Sequence, residues 1–181
     1  MLIENETLGE LRTRFPAPGT VAWLGIRPKP RAALHARERV RLLAGRGIEG
    51  DHRARRGGGK RQVTLIQAEH LAVVASLVGG ADPAASGLTQ PVDTAPLRHI
   101  DPARLRRNIV VRGLNLIALK GVRFHLGSAL LEGTGACHPC SRMEQTLGPG
   151  GYNAMRGHGG ITAVVLEDGD VALGDTLRIA L

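Results

Sequence analysis

Hydrophobic residues recur at about every second position in many short segments of this chain, and glycine, proline or charged residues end each segment. Alternation of this kind is typical of half-buried β-strands. It predicts strands within residues 19–28, 38–51, 62–67, 108–113, 122–127 and 128–135. The final segment, residues 161–181, adds one strand, a turn at 167–170 and a further strand pair, which indicates a barrel that closes on itself. The predicted fold class is therefore mostly β (α+β), a β-barrel with peripheral helices.

Helical signals are fewer and lie between the strands. Caps, apolar spacing and glycine stops predict helices at 5–15, at 68–78, in one or two turns after Asp101 and Pro102, and just after Cys140. The proline-containing residues 80–100 predict an excursion from the fold, and 148–160 a glycine-rich loop. We expect one barrel domain over residues 19–181, preceded by a helical extension over residues 1–18.

Length and composition narrow the class of protein. A chain of 181 residues suits one domain with one core. No run approaches the roughly 20 apolar residues needed to cross a bilayer, and the N-terminus lacks the pattern of a secretory signal. Two cysteines cannot form a disulfide framework. We therefore expect a soluble cytoplasmic protein with no membrane partner.

The net charge of +8 indicates an anionic partner, because arginine supplies most of the 24 basic residues and its planar fork suits carboxylate and phosphate oxygens. The aromatic residues are Phe15, Trp23, Phe124 and Tyr152, which leaves little surface for nucleic-acid bases to stack on. A small anionic ligand is therefore expected ahead of nucleic acid.

Both cysteines lie in one Cys-His-Pro-Cys segment, Cys137 to Cys140, and four interpretations compete. A structural zinc site needs four ligands, and only scattered histidines such as His138 and His158 could join this pair. Thioredoxin-like proteins carry their redox motif near the start of an alternating α/β fold, whereas this motif lies late in the chain and is followed by a β-rich segment. Two inert buried cysteines are common in proteins, but this segment is polar and stiffened by proline. An accessible, reactive thiol is the fourth interpretation.

Cys140 is the better candidate for that thiol. It stands at the predicted start of a helix, where unpaired N–H groups and the helix dipole stabilise a thiolate, and Arg142 adds positive charge. A thiolate so placed can carry sulfur as a persulfide or bind a soft metal. Cys137 could then resolve a persulfide by forming a disulfide.

Five blocks of the sequence, in this order, resemble the MOSC domain, the C-terminal domain of molybdenum-cofactor sulfurase: 47–54, 61–71, 106–144, 154–166 and 169–179. The resemblance covers about residues 19–180 and implies a MOSC-type β-barrel. It also implies binding of the molybdenum cofactor (molybdopterin) or a related metal–sulfur species, with Cys140 at the position of the family cysteine. Cys140 would carry sulfur or ligate molybdenum. The chain has no room for a pyridoxal-phosphate domain, so a separate cysteine desulfurase would hold that cofactor and donate the sulfur.

The matching blocks suggest further ligand-binding residues around a phosphorylated pterin. The family order Gly-Asp-Arg-His appears here as Gly-Asp-His-Arg, which exchanges the roles of His52 and Arg53. Asn108 could instead bond only its local backbone, and the glycine loop before Arg61 could be merely solvated. The predicted set comprises Asp51, His52, Arg53, Lys60, Arg61, Arg107, Asn108, Arg142, Gly157, Gly159 and Gly160, together with Cys137 and Cys140.

The resulting hypothesis is a sulfur carrier or sulfurtransferase that acts on the molybdenum cofactor. Two alternatives from other classes remain open at this point. One is a thiol-disulfide oxidoreductase that uses the Cys137 and Cys140 pair. The other is a non-catalytic basic barrel that binds nucleic acid or an acidic protein through its arginines.

Overall fold

A computed structural model describes residues 7–79 and 100–180 of the chain. The predicted excursion at 80–100 lies outside the described residues except for Ile100, which is buried. Within the described ranges, no helix combines the length and the hydropathy needed to span a membrane.

The described residues form eleven strands, most of them where alternation predicts strands. They are β1 Gly19–Ile26, β2 His35–Arg37, β3 Arg39–Leu43, β4 Gly47–Ile48, β5 Val63–Gln67, β6 Ile109–Arg112, β7 Arg123–Leu126, β8 Ala129–Ala136, β9 Ile161–Glu167, β10 Gly169–Ala172 and β11 Thr176–Ile179. Seven of them, in the order β1, β11, β7, β8, β9, β5 and β6, close into a barrel. The prediction of a mostly β barrel is confirmed.

One edge of β1 pairs with two different strands, β11 and β2, and the pairing with β11 closes the barrel. Its first residues, Gly19 and Thr20, pair with β11, and its last residues, 24–26, pair with β2. The opposite edge pairs with β6, with a register shift between Val21 and Trp23. A shift of this kind increases the local twist and bends a strand, so β1 can leave β11 and run out toward β2. The residues that follow β1 therefore lie at the end of the barrel where β5 and β6 begin.

The predicted turn at 167–170 does not join two paired strands, since β9 pairs with β8 and β5, and β10 pairs with β3. Strand β10 leaves the barrel and joins β3 and β4 in a second, three-stranded sheet. Two contacts with residues distant in the sequence hold the start of β10: the Asp168 carboxylate accepts the N–H of Ala44 at 2.7 Å, and Gly169 lies so close to Ala129 that an added Cβ would stand 2.2 Å from its backbone nitrogen. Only β11 returns to the barrel, between β7 and β1.

The described residues also form four α-helices: α1 Leu8–Thr13, α2 Ala68–Gly79, α3 Ser141–Leu147 and α4 Gly151–Ala154. The predicted helix at 5–15 is observed as the shorter α1, with Thr7 as its cap. The residues after Asp101 form a 3-10 turn, Pro102–Leu105, which begins where the sequence predicts. Helix α4 occupies part of the segment predicted as a glycine-rich loop.

Helices α2, α3 and α4 pack on the outside of β5 and β6, which are buried on both faces. Leu65 and Ile109 point into the barrel core, whereas their neighbours Ile66 and Val110 belong to a second cluster with Met143 and residues of α2 and α4. Strands with two buried faces read as continuous apolar runs. The second cluster fixes α3 against the barrel, and Cys140 stands at the N-terminal end of α3.

Candidate functional site

Cys140 and six arginines line one cavity of about 190 Å³, here named the thiol cavity. The arginines come from four parts of the chain: the end of β1, the two ends of the loop before β5, the junction between the 3-10 turn and β6, and α3. The lining residues are Arg27, Arg53, Arg61, Thr64, Arg106, Arg107, His138, Cys140, Arg142 and Met143. The fold thus gathers in one place cations that are far apart in the sequence.

Cys140 presents its thiol at the wall of this cavity. It is the N-cap residue of α3, has an extended backbone, and makes no side-chain capping hydrogen bond. Its carbonyl accepts the N–H of Met143 at 2.8 Å, which anchors the backbone but not the sulfur. The residue is exposed, so the sulfur is accessible for chemistry.

Cys137 has a different environment although it is only three residues away. It is buried, and Arg61 donates a guanidinium N–H to its Sγ at 3.2 Å. Its backbone N–H donates to the carbonyl of Gly160 at 2.8 Å. Both cysteines are free thiols. The pair therefore consists of one exposed sulfur and one interior sulfur held by an arginine.

Arg107 fixes the cysteine segment from behind. Its buried guanidinium donates to the carbonyls of Gly159 at 2.7 Å, Leu105 at 2.9 Å and Cys137 at 3.1 Å. Gly159 permits this approach, because an added Cβ would stand 2.2 Å from the Cys137 oxygen. Burial lowers the pKa of Arg107, and the neighbouring Cys137 partly offsets the effect. Arg107 thus holds the Cys137 backbone in addition to adding charge to the cavity.

Asp51 and Asn108 form a buried polar junction beneath the cavity. The Asn108 side-chain oxygen accepts from the hydroxyl of Thr64 at 2.8 Å, and its amide donates to Gly25 O at 3.2 Å and to Asp51 Oδ2 at 3.1 Å. Asp51 also accepts the backbone N–H groups of Arg27 and Arg53 at 2.9 and 3.0 Å. These polar groups are therefore used within the protein, where they position the two arginines.

Arg27 is a buried arginine whose side chain has an unsatisfied donor. It is only 5% exposed, yet its Nε has no hydrogen-bond partner. Burial, and then the charge of Arg106, lower the pKa of Arg27 to about 10, although Asp51 offsets part of that shift. Leaving a buried charged donor unpaired is costly unless another group satisfies it. An anion in the thiol cavity would supply that group.

The other arginines also lie close enough to repel one another. Burial and the charge of Arg61 lower the pKa of Arg53, and burial and the charge of Arg142 lower the pKa of Arg106. The ion pairs among the described residues involve none of the six arginines of the thiol cavity. A cluster of six cations with one nearby carboxylate, Asp51, favours bound anions.

A second cavity of about 270 Å³ adjoins the first and shares Arg53 and Arg61 with it; we name it the loop cavity. It lies beside the glycine loop that precedes β5. Its lining residues are Pro30, Arg46, His52, Arg53, Arg56, Gly57, Gly58, Arg61 and Gln62.

The structure brings some of the sequence-predicted site residues together and places others elsewhere. At the wall of the thiol cavity are Arg53, Arg61, Arg107, Cys140 and Arg142; interior behind it are Asp51, Asn108, Cys137 and Gly159; in the loop cavity is His52. Lys60 is exposed and lines neither cavity, and Gly157 has a left-handed backbone with open space around it. The roles of all these residues in ligand binding remain predictions.

Sequence analysis missed Arg27, Arg106, Thr64, His138 and Met143 as lining residues. Arg106 could have been identified from the sequence, because it precedes Arg107 at a predicted junction between a helical turn and a strand. Its backbone is left-handed, with φ at 60°, a conformation that is rare for arginine and concentrates at functional sites. Arg27 carried no local signal, since only the Asp51 junction brings it to the cavity.

The described residues contain no group of three or more His, Cys, Asp and Glu side chains that could hold a metal ion. Cys140 has one histidine, His138, as a neighbour in the lining of the thiol cavity.

Glu144 connects α3 to α4 and makes the support of Cys140 sensitive to acid. Its carboxylate accepts the N–H groups of Tyr152 and Gly150, both at 2.8 Å, and these bonds hold the pKa of Glu144 below its ordinary value. A carboxyl group with a lowered folded pKa adds stability above its ordinary pKa, and that stability is lost as the pH falls through the folded value.

We therefore expect Glu144→Gln to lower the urea midpoint at neutral pH, and the difference from wild type to vanish in acid. Urea unfolding across this pH range measures both. Glu49→Gln is the control, because it removes an exposed carboxylate that has no side-chain hydrogen bond among the described residues. A difference between wild type and Glu144→Gln that grew in acid would contradict the assignment.

Comparisons with known proteins agree with this architecture. The sequence model of the MOSC domain matches residues 52–178. The YuaD protein of Bacillus subtilis has a similar structure, with a TM-score of 0.69 and 20% identity over 90% of this chain and 96% of that one.

The YiiM proteins of Escherichia coli and Geobacillus stearothermophilus are also similar, with TM-scores of 0.60 and 0.65 and identities of 20% and 16%. The alignments cover 92% and 91% of this chain and 71% and 76% of those chains. No curated protein matches the sequence. At these identities the structural similarity bears on the fold alone.

Proposed function

Because the chain belongs to the MOSC domain family, we propose that it binds the molybdenum cofactor or a related anionic metal–sulfur species in the thiol cavity and uses Cys140 as a sulfur carrier or molybdenum ligand. The family is associated with the molybdenum cofactor. The observation that carries the proposal is the exposed Cys140 thiol at the wall of a cavity lined by six arginines.

The residues present fit such a ligand at its anionic end. Arg27 offers a buried N–H without a partner, and the surrounding guanidiniums can bind phosphate oxygens through paired donors. The thiol cavity, at about 190 Å³, is smaller than the roughly 300–1,000 Å³ of pockets that enclose a whole drug-sized ligand. It therefore suits a charged group, with the rest of a pterin extending beyond it.

The chain's own residues would act as follows. Arg27, Arg53 and Arg106 would hold the anionic group, and Arg107 would keep the cysteine segment in place through the Cys137 and Gly159 carbonyls. The bound cofactor would supply a metal centre that accepts sulfur or binds a thiolate. Cys140 carries the thiol of the described lining and is exposed, whereas Met143, the other sulfur-containing residue of that lining, and Cys137 behind it are buried.

Sulfur loading requires a donor, for which we propose a protein persulfide such as that of a separate cysteine desulfurase. The Cys140 sulfur attacks the terminal sulfur of the donor persulfide, and a new S–S bond forms as the donor S–S bond breaks. The donor cysteine leaves as a thiol after taking up a proton. Cys140 then carries the persulfide, and no other oxidant or reductant is needed.

The test is mass spectrometry of the whole protein after incubation with a cysteine desulfurase and cysteine. Wild type should gain the mass of one sulfur atom, reversible by a reducing thiol, and Cys140→Ser should gain none. Cys137→Ser is the matched control, because it removes a thiol three residues away that is buried, and it should load like wild type. Loading of Cys140→Ser to the wild-type extent would eliminate the carrier proposal.

The alternative functions receive less support from the same geometry. A thiol-disulfide oxidoreductase cycles two sulfurs, but Cys137 is interior and bonded by Arg61. Nucleic-acid binding by a backbone-tracking surface would use exposed arginines along a groove, whereas one of these arginines is 5% exposed at the back of a small cavity. A small anion fits that placement better.

A further inference from the structure

We propose that the loop cavity is a second anion-binding subsite, so that the ligand of this protein carries two linked anionic groups of the diphosphate class. The inference rests on the proposed function only for the first of the two groups, which binds in the thiol cavity. The second group and the residues that bind it are new, and they lie on the other side of Arg53 and Arg61.

The first argument is charge. Four arginines line the loop cavity, Arg46, Arg53, Arg56 and Arg61, and no carboxylate is among its lining residues. None of the four takes part in an ion pair within residues 7–79 and 100–180. Guanidinium groups held around one space repel each other unless an anion lies between them. Each can offer two parallel N–H donors to phosphate oxygens.

The second argument is that the backbone holds these arginines over a common space. Gly57, Gly58 and Gly59 all have left-handed φ values, between 60° and 75°. Residues other than glycine rarely adopt such values. The N–H of Gly58 donates to the carbonyl of Gly45 at 2.9 Å, and so joins the glycine loop to the turn that carries Arg46. This bond brings together the two backbone segments that carry Arg46 and Arg56, and both residues line the same cavity.

The remaining polar residues of the loop cavity are partly committed to the protein. Gln62 accepts the N–H of Val165 at 2.9 Å and donates to the carbonyl of Gly59 at 3.3 Å. The Nδ1 of His52 lies 3.1 Å from Asp51 Oδ1, which leaves Nε2 on the far side of the ring. Recognition of a ligand therefore falls on the four arginines, with the Nε2 of His52 as a fifth contact.

The two arginines that line both cavities indicate the class of ligand. Because Arg53 and Arg61 line both cavities, an anion in each cavity would contact the same two guanidiniums. In a diphosphate the two phosphorus atoms are joined through one oxygen, so its groups can occupy adjoining spaces at once. Linking them converts the second binding event into an intramolecular one and raises the affinity.

The test is isothermal titration calorimetry with inorganic phosphate and with pyrophosphate. Wild type should bind two phosphates and one pyrophosphate per chain, and pyrophosphate should bind at least about tenfold more tightly than phosphate. The double variant Arg46→Ala, Arg56→Ala should bind one phosphate and lose most of the preference for pyrophosphate. Both side chains are exposed, so the variant should fold, which urea unfolding checks.

Arg55→Ala is the matched control. Arg55 lies in the same loop beside Arg56, is exposed, and lines neither cavity, so its removal takes away one nearby positive charge, where the double variant takes away two. It should keep both phosphates and the pyrophosphate preference. A single phosphate per wild-type chain, or equal losses in Arg55→Ala and the double variant, would overturn the second subsite. Failure of Cys140 to load sulfur would remove the carrier proposal and leave these stoichiometries unchanged.

Discussion

Replacement of Arg107 by alanine is expected to reduce the free energy of unfolding by about 3–5 kcal/mol. Three buried carbonyl groups, those of Leu105, Cys137 and Gly159, would lose their donor in this variant. A carbonyl left without a partner in the interior costs about 1–3 kcal/mol. Urea unfolding monitored by circular dichroism measures the change.

Arg107→Lys separates the role of shape from that of charge. A lysine keeps the positive charge, but its single ammonium cannot reach three carbonyls that a planar guanidinium bonds along its edges. We expect its stability to lie between those of wild type and Arg107→Ala. Arg156→Ala, which removes an exposed arginine, should change stability by less than about 0.5 kcal/mol. An Arg107→Ala variant as stable as Arg156→Ala would refute the bonding role.

Replacement of Gly159 by alanine is expected to cost about 3 kcal/mol and to shift the cysteine segment. The new Cβ would stand 2.2 Å from the Cys137 carbonyl oxygen and 3.1 Å from Arg107 Nη2. Both neighbours are buried and bonded to each other, so neither can move without breaking that bond. Urea unfolding gives the stability, and the rate at which a thiol reagent labels Cys137 reports the shift, since this sulfur is buried in the wild type.

Gly157→Ala is the control for this prediction. Gly157 has a left-handed backbone with φ at 78°, but an added Cβ would meet open space. Its replacement should cost only about 1 kcal/mol, the penalty for that conformation. If Gly159→Ala costs no more than Gly157→Ala, or leaves the labelling of Cys137 as slow as in wild type, the steric argument fails.

Local patterns predicted the barrel strands and the start of α3, because alternation, caps and turn residues act over a few positions. Strand β5 and helix α2 are observed within a residue or so of their predicted bounds. The partner of β10 could not be predicted in this way. Its choice of β3 over β9 depends on the contact of Asp168 with Ala44, and these residues are 124 positions apart.

The residues of the candidate site also differ in whether local sequence or distant contacts determine their positions. Cys140 and Arg142 could be found from the sequence because a helix start brings the two residues together. Arg27 could not, because its place depends on Asp51, and the roles of Asn108 and Cys137 depend on which polar groups surround them after folding. The family resemblance named the block containing Asn108, but it did not distinguish a residue that touches a ligand from one that positions arginines.

The buried junction of Asp51 and Asn108 links this chemistry to how the protein is made. Its hydrogen bonds join residues 24, 44 and 57 positions apart in the sequence, and contacts of such separation form late because long loops must close first. Arg27, synthesised early, has no defined place until β6 has been synthesised. A ribosome-bound chain that ends before β6 consequently has no anion site, and binding competence arises together with the complete barrel.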